Sequence, residues 1–443
     1  MFDGSGPGAL VIGDLEATRL ACSLLAERGA AVTHLLAPSD RDVAGALAAG
    51  PVQAVVVIVH SDVQALRYAL LASHAQPGVR IVTTLFDKTV ADQLTKVVPN
   101  CVAASPAEIA APAIVGAALE PGALAIDETP TGPVLVSPSG DAADRPATTR
   151  PWRAPERGLR PRDLVPRWHG GVSVLLAGGL AGLASILLLD WVLTVLVLHQ
   201  PVVDGLYAAT RTVATVGPGD ADAQHAPGWY LVVAAVFMLL AIVFTGTFVA
   251  GLVDWLLSTR SVGLIGRLAL PDRNHVVVAG LGQVGLRACL SLQRLGVRCV
   301  AIERDPKADN LRLARDAGIP VLVGHAEDRA TMARVRLHRA RALVALGSDE
   351  LDNIAIAMTA LAAAPQTRIV LRAGEDPVVA ETRSLFRIGR VVDVAALAAV
   401  TTVLHAGGCR PALAFGVDGE VHALLADGEF VSHRPSRCEC AGA

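Results

Sequence analysis

The chain has 443 residues, of which 52% are hydrophobic and only 18% charged, with a formal net charge of -3. Its mean hydropathy of +0.48 is high for a protein living wholly in water, and it excludes wholesale disorder, which combines low hydropathy with high net charge. No global basic footprint marks nucleic acid as a partner, and seven scattered cysteines, with Cys438 and Cys440 the one close pair, indicate neither a disulfide framework nor a zinc site.

The opening residues Met1-Phe2-Asp3-Gly4 lack the positive stretch and apolar core of a signal peptide, so the chain is expected to start in the cytoplasm. Apolar runs at 9–12, 31–36, 54–59 and 79–83 then alternate with helix-like stretches at 14–28 and 62–73. This rhythm predicts an α/β unit with a parallel sheet over residues 9–119. Residues 120–168 are punctuated by Pro, Gly, Ser and Thr, and Arg145, Arg150, Arg153, Arg157, Arg160, Arg162 and Arg167 crowd their second half. They read as a linker.

Two long apolar stretches follow, within a segment set at 169–260. Residues 172–189 carry no charge, with the pattern continuing past Asp190 to Leu198, and residues 229–253 are likewise uncharged. Each reaches the roughly 20 apolar residues that a bilayer-crossing helix needs. Arginine is dense before the first, Arg260, Arg267 and Arg273 follow the second, and only Arg211 lies between. The positive-inside rule then predicts a multi-pass protein of the cell membrane with both ends cytoplasmic. In the second stretch, Gly246 and Gly251 read either as gating hinges or as points of close helix packing.

Between the stretches, Pro201 and Asp204 start a short helix over 205–213. Thr215-Val216-Gly217-Pro218-Gly219-Asp220 comes next. Alternating glycines permit backbone angles closed to other residues, so that carbonyls can face one way. Irregular backbone at membrane depth is tolerated where it lines a cavity or is buried in protein. The negative C-terminal end of a short helix pointing into the membrane favours a cation there.

From Leu206 to Asp220 the sequence resembles the pore helix and TVGYGD selectivity filter of potassium channels, whose minimal unit is span, pore loop, span. The resemblance implies a potassium site built from the carbonyls of Thr215, Val216, Gly217, Pro218 and Gly219, with four loops meeting in a homotetramer. Pro218 stands where the family has Tyr, and Arg211 lies where its pore helix is usually apolar. Asp190 is the other charge, roughly 12 Å below the outer end of its span at about 1.5 Å per residue. Two readings stay open: Asp190 and Arg211 pair and brace the filter, or each faces its own water-filled crevice.

The α/β rhythm returns from residue 274 to 443, ending in a short, weaker tail. A strand at 276–279 is followed by Gly280-Leu281-Gly282-Gln283-Val284-Gly285 opening a helix, and Glu303 closes the next strand. With that context, G-x-G-x-x-G and an acid about 20 residues on form the dinucleotide fingerprint. The glycines permit a tight turn and close approach of a pyrophosphate to the helix N-terminus, and the acid holds ribose hydroxyls. Ala301-Ile302-Glu303-Arg304-Asp305-Pro306, Gly324-His325-Ala326-Glu327-Asp328, residues 340–345 and 348–353 resemble the regulator-of-potassium-conductance (RCK, or TrkA-N) domain. The resemblance implies NAD(H), ATP or ADP as regulatory ligand on Gly280 to Gly285, Glu303, Arg304, His325 and Ala326. Residues 9–119 resemble a degenerate copy: Gly13 alone remains of the turn, Asp14 and Glu16 would repel a phosphate, and Ala37-Pro38 replaces the acid.

The expected fold is thus a membrane α-helical pore unit, two spans plus a re-entrant pore loop, flanked by two α/β Rossmann-like domains. The expected function is a tetrameric potassium channel gated through a nucleotide by cytoplasmic RCK domains, and not an enzyme. The ring would act on the second span through residues 258–272. The alternatives are a non-selective cation channel and a non-conducting nucleotide-sensing membrane protein.

Overall fold

The computed structural model describes residues 8–139, 147–153, 171–217, 226–258, 271, 273–374 and 389–435. Residues 1–7, the arginines from Arg157 to Arg167, Pro218, Gly219 and Asp220, Arg260 and Arg267 with nearly all of 258–272, and Cys438 and Cys440 lie outside them. The chain forms two compact units, residues 1–156 with 269–443, and residues 157–268.

The N-terminal half of the first unit is a parallel sheet of order β2-β1-β3-β4-β5, with β1 Gly8–Ile12, β2 Val32–Leu35, β3 Val52–Val57, β4 Arg80–Thr84 and β5 Cys101–Ala104. Helices α1 (Glu16–Glu27), α2 (Asp40–Ala48), α3 (Asp62–Ala75), α4 (Lys88–Val97) and α5 (Pro106–Leu119) connect and follow these strands. The central strands read as unbroken Val, Ile and Ala because both faces are covered: Leu10, Val11, Val55 and Val56 are all fully buried. The stretch expected to be a linker is in part a folded element. β6 (Ala125–Thr129), β7 (Gly132–Pro138) and β8 (Ala147–Pro151) pair antiparallel, and Arg150 forms an ion pair with Glu120. Their strand signal is masked by Pro and Thr on exposed positions, while Ala125, Ile126, Leu135 and Val136 supply the buried face.

The second unit holds α6 (Gly171–Val197), the short α7 (Val202–Val213) and α8 (Gly228–Ser258). Glycine sets how closely α6 and α8 approach. A Cβ on Gly179 would lie 2.8 Å from the Phe248 nitrogen, one on Gly182 2.3 Å from the Phe244 ring, and one on Gly251 3.0 Å from the Leu176 nitrogen. Gly251 is therefore a packing residue, whereas a Cβ on Gly246 would meet nothing within 4 Å. Away from this seam the helices expose apolar side chains, Leu180, Leu188, Leu196, Leu239 and Val243 each by more than half. By length and composition, residues 175–197 and 228–253 are long and apolar enough to cross a membrane, and so exposed a surface is not that of buried core helices.

The C-terminal half of the first unit has a parallel sheet of order β11-β10-β9-β12-β13-β14. Its strands are β9 Val276–Ala279, β10 Cys299–Glu303, β11 Val321–Val323, β12 Ala342–Ala345, β13 Arg368–Arg372 and β14 Arg390–Val392. Counted from β9, this is the 3-2-1-4-5-6 order of dinucleotide-binding sheets. Its helices are α9 (Gln283–Arg294), α10 (Asn310–Asp316), α11 (Arg329–Arg334), α12 (Glu350–Ala363) and α13 (Val394–Ala406). The tail is a second antiparallel sheet of β15 (Pro411–Val417), β16 (Glu420–Leu425) and β17 (Phe430–His433), so each half ends in a helix and a three-stranded sheet.

The two halves exchange these closing helices. α5 of the first packs on α9 of the second, α13 of the second packs on α1 of the first, and α5 and α13 also touch. One apolar cluster therefore runs through both halves, from Leu24 and Ile114 to Leu292, Leu397 and Phe415. Polar contacts stitch its margin: Arg287 pairs with Glu108 at 2.9 Å, the Ser291 hydroxyl donates to Glu128 at 2.6 Å, and Arg294 lies 3.3 Å from Glu128.

Candidate functional site

β9 and β12 are neighbours whose following chains depart in different directions, and the turns at their C-terminal ends form the crevice of such a sheet. Gly280 follows β9 with φ +90°, and a Cβ there would lie 2.9 Å from the Gly347 nitrogen that follows β12. A Cβ on Gly285 would lie 2.0 Å from the Gly280 carbonyl oxygen, so this glycine lets α9 press against its own entry turn. Gly282 differs. It is the N-cap of α9 with an extended backbone (φ -66°, ψ -169°), no side chain caps the helix, and a Cβ there meets nothing within 4 Å. The protein itself requires glycine at positions 280 and 285; at Gly282 it leaves open space in front of free helix N–H groups.

The acid lies where the spacing predicts. The Glu303 carboxylate accepts from the Leu281 N–H at 2.8 Å and from the Asp305 N–H at 3.0 Å, so it closes over the glycine turn. Asn310 donates to the Leu281 carbonyl at 3.1 Å. Leu281 and Val284 are buried core anchors that present only backbone here, while Gly282 and Gln283 are exposed. Arg304 is exposed and 3.3 Å from Asp352, His325 is exposed, and Ala326, next to it in sequence, is buried. The structure thus joins Gly280, Leu281, Gly282 and Glu303 directly by contact or chain, and gives Arg304 a partner on α12.

Sequence reasoning missed Asn353. It is fully buried, accepts from the Gly347 N–H at 2.8 Å, and donates to the Gly347 and Arg372 carbonyls at 3.0 and 2.8 Å. It fixes the turn that faces Gly280. A glycine just after a strand, with an Asp N-cap and an Asn six residues on, was the available signal: Asp349 caps α12 by accepting from the Leu351 and Asp352 N–H groups.

The corresponding turn of the N-terminal half serves another purpose. Gly13 has φ +143° and a Cβ on it would meet the Ile58 oxygen at 2.0 Å, so this glycine lets the turn after β1 press against the chain leaving β3. Glu16 instead reaches the C-terminal half, where it joins Glu350 and Asp393 around the Arg372 guanidinium. Burial pushes the Asp393 carboxyl up to about 6, helped by Glu16 and Glu350 and opposed by N–H donation from Ala396. Burial also lowers Arg372, and the three carboxylates oppose it.

In the second unit, α7 covers the predicted short helix, and Thr215, Val216 and Gly217 follow it with Thr215 and Gly217 at φ +58° and +86°. Pro218 and Gly219 lie outside the described residues. Asp190 is fully buried, as are Thr194, Thr212 and Tyr230. The Thr194 hydroxyl donates to the Asp190 carbonyl at 2.7 Å and lies 3.1 Å from the Tyr230 hydroxyl. The Asp190 carboxylate sits beside the Thr212 and Tyr230 hydroxyls without well-formed hydrogen-bond geometry to either. Within the chain the ion pair with Arg211 is not formed, since neither Asp190 carboxylate oxygen has a hydrogen-bond partner. One residue along a helix is a turn of about 100°, and it is Thr212, not its neighbour Arg211, that α7 turns inward.

Residues 276–386 match the TrkA-N domain family. The chain carries a TrkA-N domain. It is related to "Potassium channel protein 1" of Methanocaldococcus jannaschii, to which it is 23% identical over 173 residues, 38% of this chain and 51% of that one. An uncharacterized protein of Methanothermus fervidus is 26% identical over 185 residues, 41% of this chain and 29% of its own. The TrkA-N chain thus spans between about a quarter and a half of the length of these curated relatives. Among solved structures, the GsuK channel bound to NAD aligns over 92% of this chain and 65% of its own, at 14% identity and a TM-score of 0.48. GsuK has also been solved bound to ADP.

Proposed function

We propose that the protein is a cation channel of four chains, potassium-selective, whose TrkA-N domain opens or closes it in response to NAD(H) or an adenine nucleotide. The observation that carries this reading is Thr215-Val216-Gly217-Pro218-Gly219-Asp220 placed between two exposed apolar helices of membrane-crossing length. The relationship to a potassium channel supports it. In a bilayer α6 and α8 span, with both ends of the chain cytoplasmic, and α7 enters from outside to aim its C-terminal dipole at the ion. Carbonyls from Thr215 to Gly219 replace the hydration shell of potassium.

For the nucleotide, the open space at Gly282 admits a pyrophosphate against the N–H groups that start α9. Glu303 accepts from the ribose hydroxyls, which fits NAD(H) or an adenine nucleotide with a free 2′-OH. In this reading the glycine turn binds and orients the nucleotide. Gating follows only if the ligand has different affinity for two shapes of the cytoplasmic assembly.

The test is a bi-ionic reversal potential, potassium against sodium, on purified protein in a planar bilayer. Reversal far toward the potassium equilibrium value is expected, with open probability changed by NADH or ATP. Reversal near zero with real current makes the protein a non-selective cation channel and points to Pro218, with Pro218→Tyr restoring selectivity. Correct tetramers without current under any nucleotide refute conduction and leave nucleotide sensing.

A further inference from the structure

The two halves meet at two similar joints, closed by different polar contacts. In each, the end of the first helix of one half reaches the three-stranded sheet that closes the other. Where α9 meets β6, the Arg294 guanidinium lies 3.3 Å from Glu128, a cation against a carboxylate. Where α1 ends, its C-cap Arg28 reaches β17, and the Arg28 Nη2 lies 2.6 Å from Nε2 of His433. A guanidinium has only donors and keeps its charge, so it is the imidazole that accepts, with its own proton on Nδ1. This contact exists only for a neutral His433.

The surroundings favour that neutral form. His433 is half-buried. Burial and the Arg28 charge hold the imidazole below its ordinary 6.5, against the pull of Glu27, the neighbouring residue on α1. A second cation stands on the same margin. Arg80, which opens β4, donates to the His405 carbonyl at 3.3 Å, and burial and Arg80 both hold the His405 ring low. The turn after α13 ties the two arginines together: a Cβ on Gly407 would lie 3.9 Å from an Arg28 nitrogen, and one on Gly408 2.6 Å from an Arg80 nitrogen. On the sheet side, Glu420 lies 3.6 Å from Arg434 and His422 meets the Ser432 hydroxyl at 2.6 Å, both contacts within the sheet and its end. A proton added to His433 turns its accepting nitrogen into a second donor and sets two positive charges face to face.

We propose that the Arg28–His433 joint is a proton-sensing contact: protonation of His433 in mild acid opens α1 from β17 and leaves the ion pair of the other joint in place. Acid then loosens one side of the paired halves only. The stability that the contact contributes is fully present above the ordinary imidazole value and is lost as pH falls below it. Asp393 works in the opposite sense, since its interface is firmer when protonated. The proposal stands whether or not the apolar helices conduct ions.

The experiment is hydrogen–deuterium exchange read by mass spectrometry on the purified full chain in nanodiscs, from about pH 5.5 to about pH 7.5, with labelling times scaled for the intrinsic rate. Backbone amides of β17 and of the last turn of α1 are expected to exchange faster below the ordinary imidazole value, by up to about tenfold per pH unit. Those of β6 and α9 should hold steady. His433→Gln, whose amide oxygen accepts from Arg28 at any pH, should stay closed throughout. Arg28→Gln removes the repelling charge and should also flatten the response, so one well-folded variant of the two suffices. The proposal is overturned if β17 exchanges alike across the range or if the acid response survives in either variant, which assigns it to His405 or His422. It is equally overturned if β6 and α9 respond as strongly as β17, the mark of general unfolding in acid.

Discussion

Substitution of the three glycines of the nucleotide turn by alanine separates what the fold needs from what a ligand needs. At Gly282 the backbone is extended, so alanine is not strained, and its Cβ enters empty space. Replacing glycine by a residue with fewer unfolded conformations gains about 0.4–1 kcal/mol, while alanine is the poorer N-cap by roughly 0.5 kcal/mol. The two nearly cancel, and Gly282→Ala should fold with stability within about 0.5 kcal/mol of the parent. Gly280→Ala faces φ +90° and a contact of 2.9 Å with the Gly347 nitrogen, and Gly285→Ala a clash at 2.0 Å with the Gly280 oxygen. Left-handed strain alone costs on the order of 1–3 kcal/mol, so both should lose stability. NADH or ATP binding should fall in all three, but only in Gly282→Ala without a change in unfolding midpoint. Chemical denaturation paired with nucleotide titration on the full chain makes the distinction. Full nucleotide affinity in Gly282→Ala would refute the assignment of that space to a ligand.

The Asp393 carboxyl, at about 6 in the folded protein against an ordinary 3.8, keeps its proton where the unfolded chain has released it. Stability should therefore fall as pH rises from about 4 to 6, by roughly 2–3 kcal/mol at 1.36 kcal/mol per unit. Asp393→Asn keeps an acceptor for the Ala396 N–H and should flatten that slope in urea midpoints measured from pH 4 to 7.5; an unchanged slope assigns it elsewhere. In the second unit, Asp190→Ala and Arg211→Ala should act independently, with effects on stability additive within about 0.5 kcal/mol. A coupling above about 1 kcal/mol in the double-mutant cycle would restore the ion pair that the structure lacks.

The parallel strands were legible because burial on both faces writes them as runs of Val, Ile and Ala, and the glycine turn because its backbone needs are specific to glycine. Both are local properties. The antiparallel strands β6, β7 and β8 were not legible, since only five of their residues are buried and the exposed ones include Pro, Thr and Arg. Asn353 was overlooked because its role depends on two turns meeting that lie far apart in sequence. Glu16 shows the same limit: in sequence it is a charge that spoils a phosphate site, and in the folded chain it is a partner for Arg372. Of the two readings open for the intramembrane charges, the pairing is not formed, for a subtler reason. Depth along the helices matched Asp190 with Arg211, but rotation about the helix axis decides which residue faces inward.

The exchange of α5 and α13 gives one polypeptide the architecture that separate subunits would otherwise assemble by pairing. Covalent linkage frees each partner from having to be identical, and the turns before the two first helices differ, Gly280-Leu281-Gly282 in one half and Gly13-Asp14-Leu15 in the other. Under the proposed function each chain would then take one nucleotide, at the C-terminal half, and each pair of halves would have a responsive member and a silent one. A signal received on one side has no equal and opposite counterpart on the other, so any change of shape it drives is directional from the start.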